Sequence, residues 1–144
     1  MGSSLFEEQI DSLIDSLLQG LSVERDEDFF PVITQYLARF LDADYALIGQ
    51  LVPGNEEKVV TLGFVVDGAF SDNITYSLKG TPCEQIVKAK TCVYEKDVQD
   101  TFPDDHDLVE MSAVGYAGVP LRSATGEPLG IVCALFRKVR RLRF

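Results

Sequence analysis

An almost unbroken apolar run is the feature that most limits how this chain can fold. Residues 44–52 are predicted to form a strand containing Tyr45-Ala46-Leu47-Ile48-Gly49, and a turn at Pro53-Gly54-Asn55 leads to a second predicted strand over 58–66. A strand with one wet face alternates apolar and polar residues, whereas continuous apolar character indicates a sheet covered on both faces. The run therefore predicts an α/β (α+β) sandwich whose central sheet lies between two helical layers.

Four short signals follow one another between Gly80 and Phe136. They are Gly80-Thr81-Pro82-Cys83-Glu84, Thr101-Phe102-Pro103-Asp104-Asp105, Gly115-Tyr116-Ala117-Gly118-Val119-Pro120-Leu121 and Thr125-Gly126-Glu127-Pro128-Leu129-Gly130. In the first signal Thr81 is a predicted N-cap, Pro82 the first helical residue and Glu84 the partner in a capping box, so a helix is expected over 81–89. The last two predict a hairpin of strands 115–121 and 128–136, joined by a loop of about five residues.

The segments around these signals complete the predicted domain. A strand is expected over 73–78, an extended piece over 92–94, a helical turn over 97–101 and a short helix over 104–113. A capped helix, a second short helix and a closing hairpin in this order resemble the latter half of a GAF domain, and the resemblance covers roughly residues 25–137. The order of the strands in the sheet is left open.

The resemblance implies a fold and a function. The expected fold is a GAF-like central antiparallel sheet with helices on both faces. The expected function is a small-molecule-sensing and dimerising input domain of a signalling protein, of the type found beside sensor histidine kinases and diguanylate cyclases, with its output domain outside this chain. Such a domain is not an enzyme. A purely structural dimerisation module that binds no ligand is the alternative.

The resemblance also implies where a ligand would bind. In the family the ligand lies between the sheet and the short middle helices, in an apolar cleft with a few polar groups. The identity of the ligand and of any cofactor stays unknown. Carried over position by position, the lining consists of Leu62, Phe64, Tyr76, Leu78, Thr81, Cys83, Phe102, Met111 and Tyr116.

Three more specific chemistries of the family lack their residues here. Free methionine sulfoxide reductases use a thiol just before the closing hairpin, where this chain has Glu110-Met111-Ser112-Ala113-Val114, so this enzymatic alternative is disfavoured. Bilin attachment uses a cysteine followed by a histidine in the preceding helix, and 104–111 contains no cysteine. The polar pattern of cyclic GMP binders and Gly-rich phosphate loops are missing as well.

Cys83 is the candidate reactive group. At the second position of its helix the thiol is expected to have a lowered pKa, but a nucleophile also needs a base and a substrate pocket. His106 is the single histidine and stands among carboxylates in Asp104-Asp105-His106-Asp107, which makes a Cys–His pair or a haem ligand improbable. The spacing of the three cysteines and the histidine fits no metal site.

Two N-terminal helices are predicted from apolar spacing. Residues 5–19 place apolar side chains at helical intervals, and Gly20 is a plausible stop. This helix either covers the sheet of its own domain or, as we prefer, pairs with a second copy, giving a homodimer. A second helix is expected over 28–41, with one face formed by Phe29, Val32, Ile33, Tyr36, Leu37 and Phe40. The predicted organisation is a helix over 1–21, a sensor domain over 22–137 and a linker or helix start over 138–144.

Charge and cysteine usage limit the partners. The net charge is −10, yet Arg137, Lys138, Arg140, Arg141 and Arg143 crowd the last eight positions. An acidic body repels nucleic acids and anionic membranes, so neither is an expected partner. No apolar run reaches the roughly 18 residues of a membrane helix, and no secretory signal is evident. Three cysteines without export are expected to be reduced thiols in the cytoplasm.

Overall fold

Strand β1 (Tyr45–Val52) lies at the centre of one antiparallel sheet, with its backbone paired on both sides. The computed structural model describes residues 29–52, 54–88 and 92–139. In chain order its elements are α1 (Phe29–Leu41), β1, β2 (Asn55–Val66), β3 (Ala69–Phe70), β4 (Thr75–Ser77), α2 (Pro82–Lys88), β5 (Cys92–Tyr94), α3 (Val98–Thr101), α4 (His106–Glu110), β6 (Gly115–Arg122) and β7 (Pro128–Phe136). The predicted helix over 5–19 and the tail beyond residue 139 lie outside the described residues.

The strand order is β3-β2-β1-β7-β6-β5, and every paired neighbour is antiparallel. β4 also pairs with β2, where Val59 lies opposite Tyr76, while β3 pairs further along the same strand. The first and last long strands, β1 and β7, are therefore central neighbours. The predicted hairpin of β6 and β7 forms with a loop over 123–127.

Both faces of this sheet are covered, which confirms the predicted sandwich. Ala46 and Ile48 of β1 pack in a core beneath α1, whereas Tyr45 and Leu47 pack in a second core on the opposite face, beneath the short helices. Alternate side chains of one strand thus enter two separate cores. This double burial is why the sequence of β1 is continuously apolar.

Helix α1 forms as predicted, and the apolar face given by its spacing is partly covered, because Leu37 is buried and Ile33 packs against the core on this side of the sheet. Val32, Tyr36 and Phe40 are 51%, 74% and 48% exposed. Besides Leu37, the fully covered positions are Thr34 and Ala38, which the apolar spacing did not include. Thr34 and Ala38 are buried because their side chains are small, which lets the backbone of α1 approach the sheet closely.

The close approach of α1 occurs over Gly63 of β2. A Cβ atom at this glycine would lie 2.3 Å from the Thr34 Oγ1 atom and 2.7 Å from the Phe30 carbonyl oxygen. Thr34 is buried, and its hydroxyl donates to the Phe30 carbonyl at 2.7 Å, so its polar atom is satisfied within the helix. Gly63 therefore determines where α1 lies on the sheet.

The shorter elements differ in extent from their predictions. The strand expected over 73–78 is limited to β4, and the helix expected over 104–113 to α4. Strand β3 was not predicted, and it follows a two-residue turn in which Asp67 and Gly68 both have positive φ angles. Within the described residues, no helix has the length and apolar character needed to cross a membrane.

Candidate functional site

A cavity of about 180 Å³ lies on the face of the sheet opposite α1, between the central strands and the short helices α2 and α4. The sheet contributes Leu47 of β1 and Cys133 and Leu135 of β7, and the helices contribute Cys83 and Leu108. The full lining is Leu47, Phe64, Ile74, Tyr76, Thr81, Pro82, Cys83, Asp105, Asp107, Leu108, Glu110, Met111, Tyr116, Cys133 and Leu135. An apolar floor with a few convergent polar groups is the usual composition of a small-molecule site.

Of the nine residues predicted to line a cleft, the structure brings six together around this cavity, namely Phe64, Tyr76, Thr81, Cys83, Met111 and Tyr116. The other three lie elsewhere. Leu62 has no partner on β1, because the register passes from Gly63 to Thr61 at a bulge. Leu78 is buried in the core, and Phe102 packs edge-on against Tyr94 with ring centroids 5.4 Å apart. Whether the six contact a ligand stays a prediction.

Four polar side chains from four elements meet at one end of the cavity. The Cys83 Sγ atom lies 3.0 Å from the Tyr116 hydroxyl and 3.4 Å from the Tyr76 hydroxyl. Cys133 of β7 lines the same cavity, and its thiol is the largest influence on the pKa of Cys83. We call Cys83, Cys133, Tyr76 and Tyr116 the thiol–tyrosine cluster.

The two thiols of this cluster differ in acidity. The pKa of Cys83 is lowered, chiefly by a hydrogen bond from Cys133 and further by bonds from Tyr116 and Tyr76, although burial opposes the shift. The pKa of Cys133 is raised well above its usual value by the same interaction with Cys83 and by burial. Burial is also the main cause of the raised pKa values of Tyr76 and Tyr116. Cys83 is therefore the thiol that ionises first, with the other three groups protonated around it.

Local sequence places Cys83 and Tyr116. The Thr81 hydroxyl accepts from the Glu84 N–H at 3.4 Å, which fixes the start of α2 two residues before Cys83. The Thr81 N–H itself donates to the Leu78 carbonyl, so only this half of the predicted capping box forms. On β6 the Tyr116 side chain lies over Gly118, where a Cβ atom would be 3.0 Å from the tyrosine hydroxyl. Gly118 leaves the space that lets Tyr116 reach the sulfur.

An acidic rim formed by Asp105, Asp107 and Glu110 borders the cavity on the side of α4. Burial and then the nearby Asp107 carboxylate raise the pKa of Asp105, although its own carboxylate accepts from the Asp107 N–H at 3.2 Å as the N-cap of α4. His106 is exposed and is not part of the lining, so it does not pair with Cys83. No cluster of three or more His, Cys, Asp or Glu side chains suited to a metal ion occurs among the described residues.

The sequence reasoning missed Cys133 and the acidic rim. Cys133 belongs to the cavity because β7 directs Ile131, Cys133 and Leu135 towards this face, while Val132 packs beneath α1. The alternation of side chains along β7 could be read from the sequence. The face that carries the cavity could not, because it depends on the order of the strands in the sheet. Cys92, on β5, is not part of the lining.

A chain of hydrogen bonds joins the cavity to the C-terminal end of the domain. The Tyr45 hydroxyl donates to the carbonyl of Met111 at 3.0 Å and accepts from Arg137 Nη2 at 2.7 Å. The guanidinium of Arg137 also binds both carboxylate oxygens of Asp67, at 2.6 and 3.2 Å. This bidentate pair lowers the pKa of Asp67. Tyr45 thus connects a cavity residue to the first residue after β7.

The GAF domain family profile matches residues 27–143, which is most of the chain. The α+β sandwich described above, with its antiparallel sheet and flanking helices, is consistent with that match. The chain therefore belongs to the GAF domain family, whose members are typically small-molecule-sensing or regulatory modules. No curated protein matches the chain by sequence.

Solved structures with low sequence identity share this fold. The free methionine-R-sulfoxide reductase from Neisseria meningitidis in complex with its substrate is 16% identical, with a TM-score of 0.66 over 99% of this chain and 79% of that chain. The phycocyanobilin-bound GAF domain from a cyanobacterial phytochrome is 15% identical, with a TM-score of 0.61 over 92% and 82%. The red/green cyanobacteriochrome NpR6012g4 in its red light-absorbing state is 16% identical, with a TM-score of 0.61 over 82% and 81%. At these identities the likeness shows the fold alone.

Proposed function

We propose that this GAF domain is a regulatory input module that binds a small molecule in the cavity beneath α2 and α4 and does not catalyse a reaction. The observation that carries the proposal is the cavity itself, where polar atoms of the thiol–tyrosine cluster converge on an otherwise apolar space of about 180 Å³. Family membership supports a sensing role, because sensing is what GAF domains typically do.

The cavity favours a small neutral or cationic ligand. A cavity of about 150 Å³ in another protein holds benzene, so this one suits a compact molecule. Among the described residues, its lining includes three carboxylates and no lysine, arginine or histidine. An anionic ligand would meet a repulsive rim without a compensating cation. A linear tetrapyrrole, such as the phycocyanobilin of one structural neighbour, is far larger than this space.

Ligand binding would reach the rest of a longer protein through the ends of the domain. Met111 lines the cavity, and its carbonyl is held by Tyr45, which also binds Arg137 at the end of β7. A ligand that displaces Met111 would change this contact and thereby the path of the segment that follows. In this proposal the N-terminal helix over 5–19 pairs two copies, and the output domain, of the kind found beside histidine kinases or diguanylate cyclases, lies outside this chain.

The ligand proposal is tested by thermal unfolding against a collection of small neutral and amine-containing metabolites. A ligand at about 100 times its Kd stabilises a protein by about 2.7 kcal/mol, which raises Tm by several degrees. The variant Leu47→Phe places a ring in the cavity and is expected to abolish the shift. Val32→Phe, at an exposed position of α1, is the matched control and should keep it. The absence of any stabilising compound, or equal shifts in both variants, would contradict binding in this cavity.

Two further measurements separate the alternatives. Sedimentation of the full chain tests the dimer, which Leu17→Asp on the predicted apolar face should weaken. A monomer at high concentration would refute the helix pairing, whereas a dimer without any ligand response would favour the purely structural module. Incubation with free methionine sulfoxide and a dithiol reductant tests the enzymatic alternative suggested by the Neisseria neighbour. Sustained turnover there would overturn the non-catalytic assignment.

A further inference from the structure

The proposed sensing role leaves unexplained why two of the three cysteines face the same cavity. Cys83 and Cys133 are 5% and 2% exposed, and both border the cavity. They belong to different elements, α2 and β7, far apart in sequence. Two reduced thiols that reach one cavity are the reactants of a disulfide, provided that an oxidant enters.

Within the described part of the chain, uncharged side chains stabilise a Cys83 thiolate, although burial and the Asp105 carboxylate oppose it. Its sulfur is within hydrogen-bonding distance of two tyrosine hydroxyls, at 3.0 and 3.4 Å, and the Cys133 thiol lines the same cavity. Each of these groups stays protonated, because its own pKa is raised. A negative sulfur would therefore face two hydroxyl donors. Neutral packing of a buried cysteine requires only apolar contacts, so two convergent hydroxyls are more than burial demands.

We propose that this cavity is a hydroperoxide-sensing dithiol site, in which Cys83 is oxidised first and Cys133 closes a disulfide. In the first step the Cys83 thiolate attacks one peroxide oxygen. The O–O bond breaks, and the departing oxygen takes a proton to leave as water or an alcohol, while Cys83 becomes a sulfenic acid. In the second step Cys133 attacks the sulfenic sulfur, losing its proton and releasing water. The two thiols are oxidised by two electrons, and the peroxide is reduced by two.

The cavity suits this oxidant. Hydrogen peroxide is small and neutral, so it passes the acidic rim of Asp105, Asp107 and Glu110 without charge repulsion. The resulting disulfide would tie α2 to β7 across the cavity, reducing the space left for a ligand. The site thus adds an oxidation response that does not depend on ligand binding.

The test treats the full chain with equimolar hydrogen peroxide, alkylates the remaining thiols and identifies the modified peptides by mass spectrometry. The expected product is a Cys83–Cys133 disulfide that a dithiol reductant reverses. Cys133→Ala removes the resolving thiol, so a cyclic 1,3-dione should then label Cys83 as its sulfenic acid. Cys92→Ser is the matched control and should form the same disulfide as the unmodified sequence.

Cys92 competes with Cys83 for the peroxide and thus provides a comparison within the same protein. It is half-buried rather than buried, and burial raises its pKa. If access alone decided reactivity, Cys92 would react first. A lower pKa increases the thiolate fraction by more than it weakens the nucleophile, so Cys83 should react faster than Cys92. Faster oxidation of Cys92, or a disulfide that includes Cys92, would overturn the proposal.

Tyr116→Phe tests the role of the donors. Tyr116 is a positioning residue here, since its hydroxyl acts through the Cys83 sulfur. The variant keeps the ring, and it should move the thiolate absorbance titration of Cys83 to higher pH and slow peroxide oxidation. An unchanged titration together with an unchanged oxidation rate would refute the assigned role of the cluster. Because hydrogen peroxide is the probe in ligand-free protein, a negative result leaves small-molecule binding in the cavity untouched.

Discussion

Replacing Gly63 with alanine would insert a methyl group between β2 and the backbone of α1. The added Cβ would lie 2.7 Å from the Phe30 carbonyl oxygen. A comfortable non-bonded separation is about 3.5 Å, so the helix must move by about 0.8 Å. Overpacking of this kind costs about 1–3 kcal/mol, and the upper part of the range applies because a backbone carbonyl cannot rotate away. The lower entropy of the unfolded alanine chain offsets about 0.4–1 kcal/mol.

The expected net loss is therefore about 2 kcal/mol of unfolding free energy, measured by urea denaturation followed by circular dichroism. Thr34→Ala supplies the internal control, because it removes the closest obstacle, the Oγ1 atom at 2.3 Å from the new Cβ, but leaves the Phe30 carbonyl in place. The double variant should therefore be more stable than the sum of the two single effects predicts. A loss below about 0.5 kcal/mol for Gly63→Ala would show that α1 does not rest on this glycine, whereas strictly additive effects would show that the Thr34 hydroxyl is not an obstacle.

Three further predictions concern the cavity side. Burial raises the pKa of Asp105, so the folded protein binds the carboxyl proton more tightly than the unfolded chain does, and the ionised carboxylate opposes folding. Asp105→Asn should therefore raise Tm at pH 7 and leave Tm unchanged below pH 3.8, where the carboxyl group is protonated in both states. Gly118→Ala should push the Tyr116 hydroxyl off the neighbouring sulfur and move the thiolate titration to higher pH, and an unmoved titration would contradict the packing described. Tyr45→Phe removes the bond to the Met111 carbonyl and should cost about 1 kcal/mol in urea denaturation, whereas an unchanged midpoint would show that the bond contributes nothing.

The long strands and the sandwich were predictable because the continuous apolar run of β1 directly indicates burial on both faces of the sheet. Strand β3 could have been predicted too. Asp67-Gly68 is a strong signal for a two-residue hairpin turn, and both residues adopt the positive φ angles that such a turn needs. The burial of Thr34 on α1 was not predictable from apolar spacing, because its contact depends on a glycine in another strand. Nothing in the sequence of α1 indicates that Thr34 lies close to Gly63.

The candidate site was predicted only in part, because some of its residues are placed by local signals and others by pairing between distant strands. Cys83 follows from the cap at Thr81, and Tyr116 from the start of the closing hairpin, both of which are local signals. Cys133 needs the register of β7 against β1, where it lies opposite Leu47, and that pairing joins residues far apart in the chain. The misplaced Leu62 has the same origin, since a bulge between paired strands is a property of two segments together.

The short strands beside β2 have a consequence for how this protein behaves in a crowded solution. β4 pairs with one end of β2 and β3 with the other, and between them the Thr61 N–H donates to Ile74 while the Phe64 carbonyl accepts from Ser71. An open sheet border is a template on which a foreign strand can polymerise. Here the chain's own segment from residue 69 to 77 occupies that border, so association of copies by strand addition is blocked there. Loosening this segment would expose the backbone of β2 and allow copies to associate through it.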